Sequence, residues 1–256
     1  MQVSLEEKKQ IMRIALFAAD ILVRNGAEMY RVEDTIKRIC LSKGLNTVTA
    51  SATPTMIIIG DSRLDGLTFI SSIRKRGSNM DKICKINEFS RNFINKPFDF
   101  EKSLSELKAI ELNEVYTGFK QMIAAGVASA IFNLLFQGSL IDMPVTFFIS
   151  IIGMKIEMKI EALSETSFLA NQTATFIMTL IASVFTRFFL NLNFDSIIVG
   201  SIYPILPGVA LTNGIRDFIA GDLTSGLARG MEAMMTAIAI ATGVAGAIFI
   251  RMKLGI

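Results

Sequence analysis

Near the start of the chain apolar side chains recur at helical spacing. Ile11, Ile14, Ala15, Ala18, Ile21 and Leu22 share one face, while Glu7, Lys8, Arg13, Asp20 and Arg24 take the others. Gly26 follows at a position suited to a helix C-terminus. A second amphipathic helix is predicted from about Tyr30 to Ser42, with Val32, Ile36, Ile39 and Cys40 on one side and a stop near Gly44. The period then changes. Residues 46–52 alternate and are rich in Thr and Val, Thr55–Ile59 is a β-branched run after Pro54, and Leu67–Ile73 follows a turn at Asp65-Gly66. Ser78-x-x-Asp81 reads as the start of a further helix carrying Met80, Ile83, Cys84 and Phe93, which Pro97 breaks. A last helix from about Glu101, with Leu104, Leu107 and Leu112, runs toward Tyr116. Residues 1–115 are therefore expected to form a small α+β domain with a C-terminal helical stalk.

Beyond Tyr116 the pattern is one of long uncharged segments. Gln121–Ile141, Thr166–Thr186, Ser196–Ile215 and Ala233–Ile250 each approach the roughly 20 residues that cross a bilayer core as a helix. Met143–Met154, bounded by Asp142 and Lys155, is read as a fifth, short span. Small residues are dense in the first and last, as in Ala124-Ala125-Gly126 and Gly243-Val244-Ala245-Gly246, which suits close helix packing in lipid. Asn133 and Asn171-Gln172 are expected to make interhelical hydrogen bonds, with contact to substrate as the alternative.

Composition sharpens this division. The 256 residues carry 26 Lys+Arg and 23 Asp+Glu, with no His, no Trp and two Cys. Charged side chains occupy 33 of the first 115 positions but only 16 of the last 141, too few for a water-exposed surface. The expected fold is thus an α-helical membrane protein of about five transmembrane helices, residues 116–256, preceded by a small cytosolic α+β domain. Glu6, Glu7, Lys8 and Lys9 leave no apolar core for a signal peptide, so the N-terminus is expected in the cytoplasm. Five spans then put the C-terminus outside. Lys120, Lys155, Lys159, Arg216 and Arg229 fall inside against Arg187, Arg251 and Lys253 outside, the bias of a multi-pass plasma-membrane protein.

Residue counts also exclude chemistries. Without His there is no Ser-His-Asp triad and no imidazole-ligated metal, and two distant cysteines make neither a CxxC pair nor a metal site. No phosphate-binding glycine motif occurs, so no cofactor or metal is expected and uphill work must draw on a gradient or a partner. Arg74-Lys75-Arg76 reads as a solvated turn, with contact to anionic lipid headgroups as the alternative, since the net charge of the first 115 residues is small and no aromatic residues interleave with it; no nucleic acid is expected.

The candidate chemistry lies late in the chain. Tyr203-Pro204-Ile205-Leu206-Pro207-Gly208 removes two backbone donors inside an apolar segment, giving either a proline kink or a discontinuous helix whose centre lines a substrate site. Asn213, Arg216 and Asp217 then share a helix face, followed by Asp222, Arg229 and Glu232. Charges so close to a span are costly unless paired or wet. Arg216 and Arg229 can fork a carboxylate, and Asp217, Asp222 and Glu232 are candidate coupling or gating groups; the alternative is a structural clasp at the lipid headgroups. Early in the chain Glu28, Arg31 and Glu33 cluster on the second helix, as an ion-pair network or as a gating contact.

Gly26-Ala27-Glu28-Met29-Tyr30-Arg31-Val32-Glu33 and Pro204-Ile205-Leu206-Pro207-Gly208 through Asn213-Gly214-Ile215-Arg216-Asp217, Gly221-Asp222, Gly226 and Arg229 resemble the N-terminal-half module of the threonine/serine exporter (ThrE) family. The resemblance covers nearly the whole chain and implies a proton-motive-force-dependent exporter of small amino acids such as threonine and serine. Some members of that family are fused to a second hydrophobic half, and others, including one implicated in succinate export, are split into two subunits. The resemblance therefore implies a separate small hydrophobic membrane subunit as partner, with a homo-oligomer left open. Met29 stands where the family usually has Thr. Taken together, the sequence is read as a non-enzymatic exporter subunit for a small carboxylate-bearing metabolite, with Pro204, Pro207, Gly208, Asn213, Arg216 and Arg229 toward substrate. The alternatives are a membrane scaffold or sensor acting through its cytosolic domain, and a membrane-embedded hydrolase using Asp217, Asp222 and Glu232.

Overall fold

The computed structural model describes residues 4–63, 66–74, 76–113 and 116–255. The chain divides into two compact units, Met1–Val115 with Val209–Met231, and Tyr116–Gly208 with Glu232–Ile256. Residues 209–231, which composition groups with the apolar half, thus fold with the first unit.

In the first unit, helix α1 (Leu5–Arg24) opens at Ser4, whose Oγ accepts from Glu7 N at 3.2 Å, and buries all six apolar residues of its periodic face. It closes at Gly26, which takes φ +88° while Ala27 N donates to Leu22 O at 3.0 Å and Gly26 N to Val23 O at 3.2 Å. This is a Schellman terminus, and its left-handed residue favours Gly because a Cβ would clash. Helix α2 (Met29–Leu41) packs on α1. Strands β1 (Val48–Ala52), β2 (Met56–Asp61) and β3 (Thr68–Ser72) form an antiparallel sheet in sequence order, with Ala50 opposite Ile59 and Ile59 opposite Phe69. Alternation on β2 turns Ile57 and Ile59 into the core shared with α1 and α2. Asp61 follows on the same face and is saved from isolation by an ion pair with Lys8 of α1 and a 2.6 Å bond from Thr47 Oγ1.

Helices α3 (Met80–Asn95) and α4 (Phe100–Leu112) close this core. Asn79, not Ser78, caps α3, because its Oδ1 accepts from Lys82 N at 3.1 Å; Asp99 does the same for α4 through Lys102 N. Cys40 is buried, its thiol pushed up to about 12 by desolvation, and Cys84 is exposed; neither is in a disulfide. Asp65 of the expected turn and Lys75 of the basic cluster lie outside the described residues.

The second unit is a helical bundle of α5 (Gly118–Leu135), α6 (Asp142–Ser164), α7 (Ser167–Phe188), α8 (Phe194–Ile202) and the later part of α10 (Leu223–Leu254). Its outer face is unlike that of a water-soluble bundle. Ser129, Thr146, Ser150, Thr175 and Thr179 are buried, while Leu135, Phe148, Phe188 and Phe249 are exposed. Large apolar side chains facing outward, over an interior in which these hydroxyls sit beside Ile149, Met178 and Ile197, are what a lipid solvent selects. Gly126 brings α5 against Phe147 and Ile151 of α6, and Gly243 brings α10 against α7, where Gln172 donates to Thr242 at 3.1 Å. The chain is an α-helical membrane protein.

Helices α5, α7 and α10 are long and apolar enough to cross a membrane; α8 and α9 (Gly208–Ile219), counted together as one broken span, make a fourth. Against the five segments read from the sequence, the difference is α6. Its apolar first half continues without a break through Lys155, Glu157, Lys159 and Glu161, giving a 23-residue helix in place of a short apolar span. The Pro204–Gly208 region is a real interruption: α8 ends in a single 3-10 turn, Tyr203–Ile205, Leu206 is extended, and α9 restarts at Gly208.

Candidate functional site

The candidate site lies in the first unit, where α9 and the start of α10 meet the corner between α1 and α2. Ending a helix at Gly26 and starting another at Met29 leaves the carbonyls of Gly26 and Ala27 and the amide of Met29 to be met from outside the two helices. Side chains 187 or more positions later meet them. Asn213 Nδ2 donates to Gly26 O at 2.8 Å, Arg229 Nη2 donates to Ala27 O at 2.6 Å, and Met29 N donates to Asp217 Oδ1 at 3.2 Å. A carboxylate at the first amide of α2 also complements the positive end of that helix.

Local sequence sets this grip. Asn213 and Asp217 lie one turn apart on α9, so both face the corner. Gly214 permits the approach of α10, since a Cβ there would lie 3.3 Å from Arg229 Cβ and Gly226 O. Gly226 in turn accommodates the ring of Phe218. Helix α9 ends as α1 does, with Gly221 at φ +89° and Asp222 N bonded to Asp217 O at 2.9 Å, and Asp222 then caps α10 by accepting from Ser225 N at 3.0 Å.

Two ion pairs complete the arrangement. Asp217, fully buried, pairs with the buried Arg229 across 3.1 Å. Glu28 is the N-cap residue of α2 but makes no capping bond; its carboxylate is held by Arg216 and by Arg31. Burial alone would raise the Glu28 pKa, but the hydrogen bonds from Arg216 and Tyr30 and the charge of Arg31 outweigh it and hold the carboxyl below the ordinary glutamate range. Arg216 remains more than half exposed. Beside it is a cavity of about 140 Å³, lined by Glu28, Arg31, Asn87, Asn213 and Arg216 with Met80 and Ile83 on an apolar side. Two guanidinium groups, two carboxamides and an apolar wall suit a small anion with a short carbon skeleton.

A family model, that of the "Putative threonine/serine exporter" (ThrE), matches residues 13–251. The chain belongs to the ThrE family. It is 26% identical over 251 residues to the "Probable succinate transporter subunit YjjP" of Klebsiella aerogenes, covering 95% of each chain. It is 23% identical over 251 residues to the protein of the same description from Escherichia coli K12, covering 96% of each. No solved structure matches the chain. This ThrE member is therefore a membrane transporter of the exporter class, in keeping with its bundle of outward-facing apolar side chains.

Of the residues singled out in the sequence, the structure brings Glu28, Arg31, Asn213, Arg216, Asp217 and Arg229 together. Asp222 is at the α10 N-terminus, and Glu33 accepts from Ala52 N at 3.0 Å, tying α2 to β1. Pro204, Pro207 and Gly208 lie at the helix break, and Glu232 is an exposed residue of α10, all in the second unit. Asn87, Met80 and Ile83 of α3 were not foreseen. They belong to an ordinary amphipathic helix, and only the tertiary fold marks them.

Proposed function

We propose that this chain is one subunit of a secondary exporter that takes a small carboxylate-bearing metabolite from the cytoplasm, and that the Arg216 pocket is where the cargo carboxylate first binds. The observation that carries this reading is the Arg216–Glu28 pair on the wall of a cavity also lined by Arg31 and two asparagines. Glu28 supplies an internal carboxylate where an external one would sit, and displacing it exchanges one ion pair for another at little electrostatic cost. Asp217, Arg229 and Asn213 hold the corner rigid so that Arg216 and Arg31 stay aimed at the pocket. Pro204, Pro207 and Gly208 form the discontinuity between α8 and α9, Asp222 caps α10 and Glu232 lies within it, the two acids being candidate coupling or gating groups.

In this reading residues 1–115 face the cytoplasm, the apolar helices lie in the plasma membrane, and a second small hydrophobic subunit completes the exporter. The relatives' description as transporter subunits supports the partner, and succinate, threonine and serine are the first cargoes to test. The proton motive force is the proposed drive. The test is efflux of preloaded labelled succinate, threonine and serine from cells carrying both subunits, before and after a protonophore. Protonophore-sensitive efflux that requires both chains and is lost in Arg216→Ala supports the reading; efflux untouched by Arg216→Ala removes the pocket from it.

A further inference from the structure

The bundle of the second unit contains a polar cluster that the Arg216 pocket does not use. Ser129 and Asn133 lie one turn apart on α5, Thr146 and Ser150 one turn apart on α6, and Ser201 is on α8; all five are fully buried. Ser129 Oγ donates to Ser150 Oγ at 2.8 Å, and Ser201 Oγ lies 3.5 Å from Thr146 O. Asn133 is different. Among the described residues neither its Nδ2 nor its Oδ1 has a hydrogen-bond partner. A buried carboxamide with both ends unmet is a standing cost, removable by replacing it with an apolar residue of the same size.

Two glycines keep space for that amide. A Cβ on Gly200 of α8 would lie 3.0 Å from Asn133 Cβ and from Thr146 Cγ2, and one on Gly138 would run into the Asn133 carboxamide itself. The preceding residue of α5, Phe132, stacks on Tyr203, which begins the 3-10 turn at the helix break. Helix α8 is thus a nine-residue segment lying over an unsatisfied amide and ending at a proline interruption. In transporters, short broken helices of this kind are the elements that uncover and cover a site in the bundle.

We propose that Asn133, with Ser129, Thr146, Ser150 and Ser201, forms an occluded binding site within the membrane bundle for an uncharged hydrogen-bonding group of the transported solute, such as a hydroxyl. The amide offers one acceptor and one NH₂ donor, the hydroxyls of Ser129, Thr146 and Ser201 already give their protons to Ser150 Oγ, Asp142 O and Thr146 O and can only accept, and no charged side chain belongs to the cluster, so a group that both donates and accepts is matched whereas a bare anion is not. Here the site is closed, and solute enters when α8 moves off α5 and α6. This inference rests on the transporter reading but not on the Arg216 pocket.

The test places a reporter thiol in the cluster. Ser150→Cys is built in a chain carrying Cys40→Ala and Cys84→Ala, expressed with its partner subunit, and treated with a small charged methanethiosulfonate. The thiol is expected to react, and saturating L-serine is expected to slow the reaction roughly tenfold, as occupancy at about ten times Kd dictates, with L-alanine weaker because it lacks the hydroxyl. Adding Asn133→Leu should leave the thiol reactive, keep the thermal midpoint at or above that of the parent, and abolish protection. No reaction above the cysteine-free chain overturns the site, as does reaction that none of L-serine, L-alanine or succinate slows. Protection by succinate equal to that by L-serine overturns the uncharged-group assignment. Efflux that persists while protection is absent counts against this site alone, whereas protection without efflux counts against the transport reading.

Discussion

Arg216 and Glu28, 188 residues apart in the sequence, are ion-paired at the edge of the cavity between α1, α2, α3 and α9. The pair joins a half-exposed guanidinium to a buried carboxylate, so the acid is fixed by its surroundings and the base is free to change partners. If the cargo carboxylate takes the place of Glu28, substitutions at the two positions must act in opposite directions. Arg216→Ala should lower efflux at limiting cargo by about 10–100-fold, the worth of a charge-assisted contact of about 1.5–3 kcal/mol. Arg216→Lys should recover part of it, because the charge remains but the fork is lost. Glu28→Gln should lower the half-saturating cargo concentration. Concentration series of labelled cargo in preloaded cells measure both, and a rise in that concentration for Glu28→Gln would make Glu28 a positioning group and not a competitor.

The corner itself should be rigid because Asp217 and Arg229 are both buried. Arg229→Ala leaves the Asp217 carboxylate without its guanidinium and removes the donor to Ala27 O, a loss expected to cost about 3–5 kcal/mol. Asp217→Asn added to Arg229→Ala should return much of that, since an amide oxygen still accepts from Met29 N and no lone charge stays buried. Thermal unfolding of the purified chain in detergent gives the three values, and a double variant no more stable than Arg229→Ala would show that the ion pair is not what holds this corner.

Much of this architecture is legible in the chain. The periodic face of α1 and the Gly26 that ends it are local features, decided within one or two helical turns, and the structure has each where its spacing places it, whereas Gly221 and Asp222, read only as part of the family block and as a candidate gating group, end α9 and cap α10. What is not legible is pairing at a distance. Nothing near Glu28 announces Arg216, and Asn87 looks like any polar position on α3. Averaging also misleads: residues 209–231 sit between apolar segments and inherit their character in any composition count, yet Asn213, Asp217 and Arg229 bind backbone groups of the first unit. Asn133 fails for a different reason, since an Asn in an apolar helix ordinarily finds a neighbouring helix to bond, and only the fold reveals that among the described residues this one has not.

Acid should weaken the first unit in two stages. The Glu28 carboxyl is held below its ordinary value, so its contribution is present above about pH 4.5, its ordinary value, and falls away as pH drops below that. For Asp61 burial opposes ionisation, but Lys8 and Thr47 outweigh it and bring the carboxyl down to about 2, so its contribution is lost later, between about pH 4 and pH 2. Glu28→Gln should remove the earlier stage and leave the later one. Unfolding midpoints measured across this range on both proteins decide it; an unchanged profile in Glu28→Gln would assign the first stage to other carboxylates.

The Lys8–Asp61 pair offers a sharper test of what the sheet contributes. Both side chains are almost wholly removed from water, so Lys8→Ala should leave a buried, uncompensated carboxylate and cost about 3–5 kcal/mol. Replacing both, as Lys8→Met with Asp61→Leu, removes the charge problem and substitutes apolar volume at the rim of a core that already contains Ile57 and Ile59, so stability should return close to the parent value. Neither residue touches the Arg216 pocket, and efflux by the double variant should match the parent at equal expression. Loss of efflux in a stable double variant would mean that the sheet acts in transport and does not merely support α1 and α2.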